Sequence, residues 1–309
     1  MVAASRAKAS DRATLLKKLF PVIKKHYKIQ IPKGGKPVLE TMLYAICLED
    51  STVEEADLSF KRLFAEFPDL NEVRVSTVGE IERAFLGQTL SEWRAFRVIS
   101  VLKFIFDKTY AFEFESLRKK TLDLATKQLA KIKDLSPFVR DYTLHEVTGA
   151  HMIPIDTLTA RTLVWLGLAL PNQTPEQIGE LMKGAVRKAE IESFVFTMRC
   201  LAADRRLNPA FDPSKHPIAA EGNDTDTAMD RLNELIKNGP EKAVRASASK
   251  SAAPKKEKEA EKKPEVKGAA KAKIEPVATP AKKESTSHKP TEKKPATTVS
   301  AKKPAKKSR

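Results

Sequence analysis

Apolar residues recur at helical spacing through most of the first 240 residues of the chain. In the clearest case, Trp93, Phe96, Ile99, Leu102 and Ile105 share one face, because side chains three or four positions apart lie on the same side of a helix. No segment alternates between apolar and polar residues with the period of two that is typical of a strand. The pattern therefore predicts an all-α protein of about ten helices joined by short connections.

Residues that start and stop helices place these elements along the chain. Thr52 and Thr77 each stand three residues before a glutamate, and Thr174 stands three residues before Gln177, which is the spacing of a capping box. We also predict that Ser91, Ser136 and Asp156 begin helices. The predicted helices cover residues 38–48, 54–67, 78–86, 91–106, 117–132, 137–147, 157–166, 175–186, 190–204 and 226–238.

The C-terminal part of the chain has a different composition. Residues 241–309 contain 21 Lys and Arg against 8 Asp and Glu, whereas the first 240 residues contain 35 against 32. From residue 239 onward there is no aromatic side chain, and Ala, Lys and Pro dominate. Such a segment buries too little apolar surface to offset the entropy of ordering it. The sequence therefore predicts a near-neutral body and a disordered basic tail, and residues 1–14 are also predicted to be disordered.

The basic tail favours a nucleic-acid partner, because each lysine that neutralises a phosphate releases counterions. Its composition resembles that of linker-histone tails. The alternative is a solubilising linker or a tether to an acidic protein. With almost no arginine and no aromatic side chain, the tail can hold DNA but not read its bases. The lysines that we expect to contact DNA are Lys255, Lys256, Lys262, Lys263, Lys282, Lys283, Lys293, Lys294, Lys302, Lys303, Lys306 and Lys307.

Several classes of protein are excluded by the composition. No apolar run approaches the roughly 18 residues of a membrane span, and the N-terminus lacks the apolar region of a secretory signal. Cys47 and Cys200 are too few for a disulfide framework or a four-cysteine metal site. Nucleotide-binding glycine motifs and a nucleophile elbow are absent. We therefore expect a cytoplasmic, monomeric protein with no membrane contact, no metal and no cofactor.

The most specific motif is the segment from Pro154 to Leu168, in which Pro154-Ile-Asp156-Thr precedes a helix that carries Arg161 and ends in Leu-Gly-Leu. This segment resembles the aspartate-bearing segment of the helix–hairpin–helix DNA glycosylases, the endonuclease III-like superfamily of base-excision repair. The order of the upstream helices is similar too. The resemblance implies a two-lobed helical domain over residues 15–217, a linker with a short helix at 218–240, and a DNA-binding, nucleoid-associated protein.

The resemblance also assigns roles to individual residues. Asp156 falls on the carboxylate that stabilises positive charge on the sugar as a base is released. The structural alternative is that Asp156 only caps the helix that follows it. Arg140 and Arg161 are candidate DNA contacts, and Arg161 is also a candidate partner for Asp156 or a backbone group.

The chain departs from the family at three places. The lysine that forms a Schiff base in the bifunctional members falls on Asp141, which cannot do so. The two hairpin glycines fall on Pro137 and Val139, so close approach to a DNA phosphate is impaired. The cysteines of the iron–sulfur cluster are missing after Cys200. These differences predict a monofunctional N-glycosylase without lyase activity or, alternatively, a degenerate, inactive member that binds DNA through its tail.

The role of two acidic residues, Glu49 and Asp50, stays open at this point. Glu49 and Asp50 follow the helix at 38–48, where the resemblance implies a loop that faces DNA. Negative charges there would weaken DNA binding unless they pair with Lys or Arg. The alternative is an ordinary helix terminus.

Overall fold

The computed structural model describes residues 8–29, 31 and 34–240, and the fold of this part of the chain is entirely helical. The all-α prediction is thereby confirmed. The twelve α-helices are α1 (Ala9–His26), α2 (Val38–Leu48), α3 (Val53–Glu66), α4 (Leu70–Val75), α5 (Val78–Glu82), α6 (Ser91–Thr109), α7 (Leu122–Leu129), α8 (Pro137–Thr148), α9 (Thr157–Trp165), α10 (Pro175–Met182), α11 (Ile191–Ala202) and α12 (Ala228–Asn238). None of these helices is long and apolar enough to cross a membrane.

Two separate apolar cores divide the body into two lobes. The first core is built by α2 to α8, and the second by α1 together with α9 to α12. The first helix of the chain therefore packs in the lobe that holds the last helices. Phe196 of α11 is buried in the first core, so α11 contributes to both lobes. Helix α2 lies deep inside the first lobe, where Glu40 is its only residue that is not buried.

Local start signals place most of the helices as predicted. Thr52, Thr77 and Thr174 each form a complete capping box, in which the threonine oxygen and the side chain three residues later satisfy backbone N–H groups. Ser136 accepts a hydrogen bond from the N–H of Val139 and begins α8. Helix α2 has the bounds that the sequence predicts. Helix α4 is an element that the sequence analysis did not predict.

Two helix predictions inside the first lobe are wrong. Ser91 is not an N-cap: Leu90 occupies that position with a φ of 56°, and the Ser91 hydroxyl donates to Glu82 instead. The single helix predicted over 117–132 is broken into a 3₁₀ turn at Glu115–Lys119 and the helix α7. The break comes after Leu117, which is fully buried and fixes the turn against the core.

The boundaries of the body also differ from the predictions. Helix α1 begins at Ala9, inside the segment predicted to be disordered, because its stripe of Leu15, Leu19 and Ile23 is buried in the second core. Helix α12 is part of the same core through Leu232 and Leu235, rather than part of a linker. The predicted disorder of residues 1–7 and of the tail at 241–309 lies outside the described residues.

Candidate functional site

The C-terminal end of α2 is where the candidate site is built. The last carbonyl groups of a helix lack intrahelical partners, and a buried helix end must find donors elsewhere. Arg94, only 2% exposed, donates from Nη1 to the carbonyl of Ile46 at 2.5 Å and also bonds the carbonyl of Glu49. Gln88 Nε2 donates to the carbonyl of Cys47 at 3.2 Å. The α2 terminus is therefore held from α6 and from the loop before it.

Asp156 lies against the end of α2, and both oxygens of its carboxylate have bonding partners. Its Oδ1 accepts the N–H of Thr159 at 2.9 Å, which is the predicted N-cap of α9. Its Oδ2 accepts the N–H of Asp50 at 3.0 Å and lies 2.8 Å from Nη2 of Arg199. Asp156 is 3% exposed. The carboxylate thus joins three segments of the chain and has almost no access to solvent.

Arg199 of α11 is the cation that neutralises Asp156. Its Nη1 donates to the carbonyl oxygens of Leu48 at 2.5 Å and Ser51 at 3.0 Å, so one guanidinium bonds both Asp156 and the end of α2. The opposite side of the guanidinium faces the ring of Phe138, with Cζ 5.0 Å from the ring centroid. Arg199 is 2% exposed. Both members of this ion pair are therefore almost fully buried.

Asp50 is bonded to the start of α9 through both its backbone and its side chain. While its N–H donates to Asp156, its own Oδ1 accepts the N–H of Leu158 at 2.9 Å and satisfies a second free donor of α9. Its backbone is left-handed, with a φ of 47°. Aspartate and asparagine tolerate this conformation better than most residues. The two acidic side chains near the start of α9 therefore act as a double cap.

The electrostatics of the two carboxylates differ. Burial and the neighbouring Asp156 raise the pKa of Asp50 to about 6. Burial alone would also raise the pKa of Asp156, but Arg199 and the hydrogen bonds from Thr159 and Asp50 outweigh it and hold that pKa below its usual value. Asp156 is therefore ionised at neutral pH, and Asp50 is the group that titrates near neutrality.

We expect the Asp50→Asn variant to be about 1–3 kcal/mol more stable than the wild type at pH 7. Asparagine keeps the acceptor for Leu158 and tolerates the left-handed backbone, but removes a buried charge beside Asp156. Because the folded pKa of Asp50 lies above its unfolded value, its stabilising contribution is present at low pH and lost as pH rises through about 6. Urea unfolding at pH 4 and pH 7 should show a difference that is small at pH 4. A less stable variant at pH 7 would contradict this prediction.

The open question about Glu49 and Asp50 is resolved by their partners. Glu49 forms an ion pair with Arg97 of α6. Asp50 caps α9 as described above. Both acidic groups are thus satisfied inside the protein.

Other residues singled out from the sequence lie elsewhere. Arg161 is exposed on α9 and is not the partner of Asp156; Arg199, 43 positions after Asp156, takes that role. Arg140 forms an ion pair with Asp141 at 2.8 Å and lies 3.6 Å from Glu176, so its charge is largely compensated. Trp93, which the sequence places on the apolar face of α6, lies in the first turn of this helix and is 52% exposed.

Asp141, which the resemblance places on the family's lysine position, lies on α8 and pairs with Arg140. Phe138, almost one helical turn earlier on α8, faces the guanidinium of Arg199. Neither side chain carries an amine, so neither can form a Schiff base.

An iron–sulfur cluster, which the resemblance brings with it, does not fit this chain. Cys47 is buried in the first core, and Cys200 is a half-buried residue of α11 in the second lobe. The segment from 201 to 217 contains no further cysteine. These two thiols cannot supply the four ligands that such a cluster needs.

Among known proteins, the chain is similar to solved structures only. No protein-family model and no curated protein matches the chain. An endonuclease III–DNA complex is 15% identical over 60% of this chain and 84% of that chain, with a TM-score of 0.46. The similar structures include DNA glycosylases.

Two of these glycosylases come from named bacteria. The Helicobacter pylori 3-methyladenine DNA glycosylase MagIII is 14% identical over 63% of this chain and 96% of that chain, with a TM-score of 0.46. The Clostridium acetobutylicum 8-oxoguanine glycosylase/lyase is 13% identical over 63% and 69%, with a TM-score of 0.44. At these values no residue role is transferred, and each assignment above rests on the contacts of this chain.

Proposed function

We propose that the protein binds duplex DNA and does not use Asp156 to release bases. The observation that carries this proposal is the buried ion pair between Asp156 and Arg199. A carboxylate that stabilises a developing sugar cation must face the sugar from a pocket. The carboxylate of Asp156 instead accepts hydrogen bonds from the N–H groups of Thr159 and Asp50 and forms an ion pair with Arg199. Its contacts are those of a structural cap.

Base release through Asp156 would require the ion pair to open. Arg199 would then keep a buried charge without its counter-ion, a change that costs several kcal/mol in protein interiors. The carbonyl groups of Leu48 and Ser51 also depend on Arg199, so the end of α2 would be disturbed as well.

A monofunctional N-glycosylase is the second candidate, and one observation favours it. The pKa of Asp156 is lowered, so the group is an anion at neutral pH, as electrostatic stabilisation of a sugar cation requires. Base-release assays with duplexes that carry oxidised, deaminated or alkylated bases separate the candidates. The proposal expects no release by the wild-type chain. Release by the wild type that is lost in Asp156→Asn would establish the second candidate and overturn the first.

DNA binding by the body is supported by an apolar loop between α5 and α6. Leu86 is 66% exposed and Leu90 is 61% exposed. Arg62 donates to the carbonyl of Leu86 at 3.2 Å. Arg205, which also forms an ion pair with Glu55, donates to the carbonyl of Gly87 at 2.9 Å. Apolar side chains flanked by arginine are the combination with which proteins wedge into a base step while holding phosphates. We infer that this loop, with the adjacent Trp93, faces the duplex.

The Leu86→Ser/Leu90→Ser variant should bind duplex DNA about tenfold more weakly with an unchanged dependence on salt, because the variant loses apolar contacts with the bases but no charge. Fluorescence anisotropy at several salt concentrations measures both quantities. Leu122→Ser/Leu124→Ser is the matched control, since these two leucines are also exposed but lie on α7. Equal losses of affinity in the two variants would remove this loop from the DNA interface.

A further inference from the structure

Three side chains that could bind a metal ion meet where the two lobes come together. His145 and Glu146 lie near the C-terminal end of α8, and Glu192 lies in the first turn of α11. One ligand atom of each residue lies within 4.8 Å of the others. Glu146 and Glu192 form no ion pair or hydrogen bond with any residue of the described part of the chain. Two carboxylates thus lie beside an imidazole, and Lys36, which lines the same cleft, forms no ion pair with either of them.

A backbone carbonyl fixes the tautomer of the His145 imidazole. Its Nδ1 lies 3.0 Å from the carbonyl oxygen of Ala150. Because a carbonyl oxygen can only accept, Nδ1 carries the proton and Nε2 retains its lone pair. A backbone carbonyl that fixes the tautomer in this way is a common support for a metal-binding histidine.

A mostly buried tyrosine that lines the cleft beside the cluster provides a second, independent observation. Tyr142 is 7% exposed and lines the same cleft as Glu146 and Glu192. Its hydroxyl has no hydrogen-bond partner among the residues that the structure describes. Burial and the nearby Glu146 raise the pKa of Tyr142, so the hydroxyl stays protonated. The hydroxyl group is therefore open to the cleft, where it can donate a hydrogen bond to a water or to a ligand of a bound ion.

We propose that His145, Glu146 and Glu192 bind a divalent transition-metal ion, with Zn²⁺ as the ion that fits best. One imidazole and two carboxylates are ligands that zinc accepts, whereas magnesium prefers oxygen ligands and retained waters. The ion neutralises the repulsion between Glu146 and Glu192. Zinc bonds of about 2.0–2.2 Å place ligand atoms roughly 3.4 Å apart in a tetrahedron, so the side chains need only small rotations to close on the ion.

Three protein ligands would leave one position of a four-coordinate zinc ion for a water molecule. Three protein ligands plus a water is the arrangement of a zinc site that is accessible to small molecules. The Tyr142 hydroxyl, in the same cleft, can form a hydrogen bond with such a water. The site also joins α8 of the first lobe to α11 of the second. Zinc binding should therefore stabilise the folded body, because the ion binds the folded chain and not the unfolded one.

Zinc titration of the full-length chain, purified with EDTA and then dialysed, tests the proposal. We expect one Zn²⁺ per chain and a Tm that rises by about 5 °C when free zinc is a hundredfold above its Kd. His145→Asn and Glu192→Gln should each lower the zinc affinity at least tenfold and abolish the rise in Tm. Glu192 is exposed, so its variant should fold normally, and melting in EDTA verifies this.

The matched control is His26→Asn/Glu66→Gln, which changes one exposed histidine and one exposed glutamate outside the cluster. This control should bind zinc as the wild type does. The proposal is overturned if zinc does not bind, or if it binds His145→Asn and Glu192→Gln as tightly as the wild type. Binding of Mg²⁺ as tight as that of Zn²⁺ and independent of His145 would also overturn it.

Discussion

The Arg199→Ala variant should lose about 3–5 kcal/mol of its free energy of unfolding, the largest effect that we expect from a single substitution. Removing one partner of a buried ion pair leaves the other as an uncompensated charge. In this protein the substitution also deprives the carbonyl groups of Leu48 and Ser51 of a donor and exposes the ring of Phe138 to a cavity.

Urea unfolding of the full-length chain measures this loss. Arg206→Ala is the matched control, because Arg206 pairs with Asp204 while its side chain is 76% exposed. Exposed pairs contribute at most about 1 kcal/mol. Arg199→Met combined with Asp156→Asn should be less destabilised than the sum of the two single variants, since the buried charges disappear together. A loss below 1 kcal/mol in Arg199→Ala would mean that the pair does not support the fold.

Replacing the twelve tail lysines at 255, 256, 262, 263, 282, 283, 293, 294, 302, 303, 306 and 307 by glutamine should weaken duplex binding at least ~100-fold at low salt. Each phosphate contact that is lost removes counterion release, so the dependence of affinity on salt should flatten strongly. Anisotropy titrations between about 50 and 200 mM salt measure both changes.

Twelve substitutions of neutral tail residues by glutamine provide the control for this experiment. The control should retain the affinity and the salt dependence of the wild type. If the lysine variant binds DNA as the wild type does, the tail does not act on DNA. An acidic protein would then be the more suitable partner for the tail.

Features encoded within a few residues were predictable from the sequence. The capping boxes at Thr52, Thr77 and Thr174 require only side chains three positions apart, and all three occur in the structure. Asp156 was predicted as the cap of α9 for the same reason, and its bond to Thr159 confirms this.

Features that depend on distant residues were not predictable. The partner of Asp156 is Arg199, whereas the sequence offered the nearer Arg161. Arg199 sits in a largely buried helix, and nothing local marks it as a partner for an aspartate 43 positions away. Likewise, nothing local in the sequence indicates that Phe138 of α8 faces the guanidinium of Arg199 on α11. The cluster of His145, Glu146 and Glu192 likewise forms only when the two lobes meet.

The central claim is that Asp156 is a structural cap and not a catalytic carboxylate. Affinity for a duplex with a cationic abasic-site analogue, compared with an undamaged duplex, tests this claim without knowledge of the base. A catalytic carboxylate stabilises the cation, so it should favour the analogue. We predict equal affinities for the two duplexes, in the wild type and in Asp156→Asn. Tighter binding of the analogue by the wild type, lost in Asp156→Asn, would contradict the account.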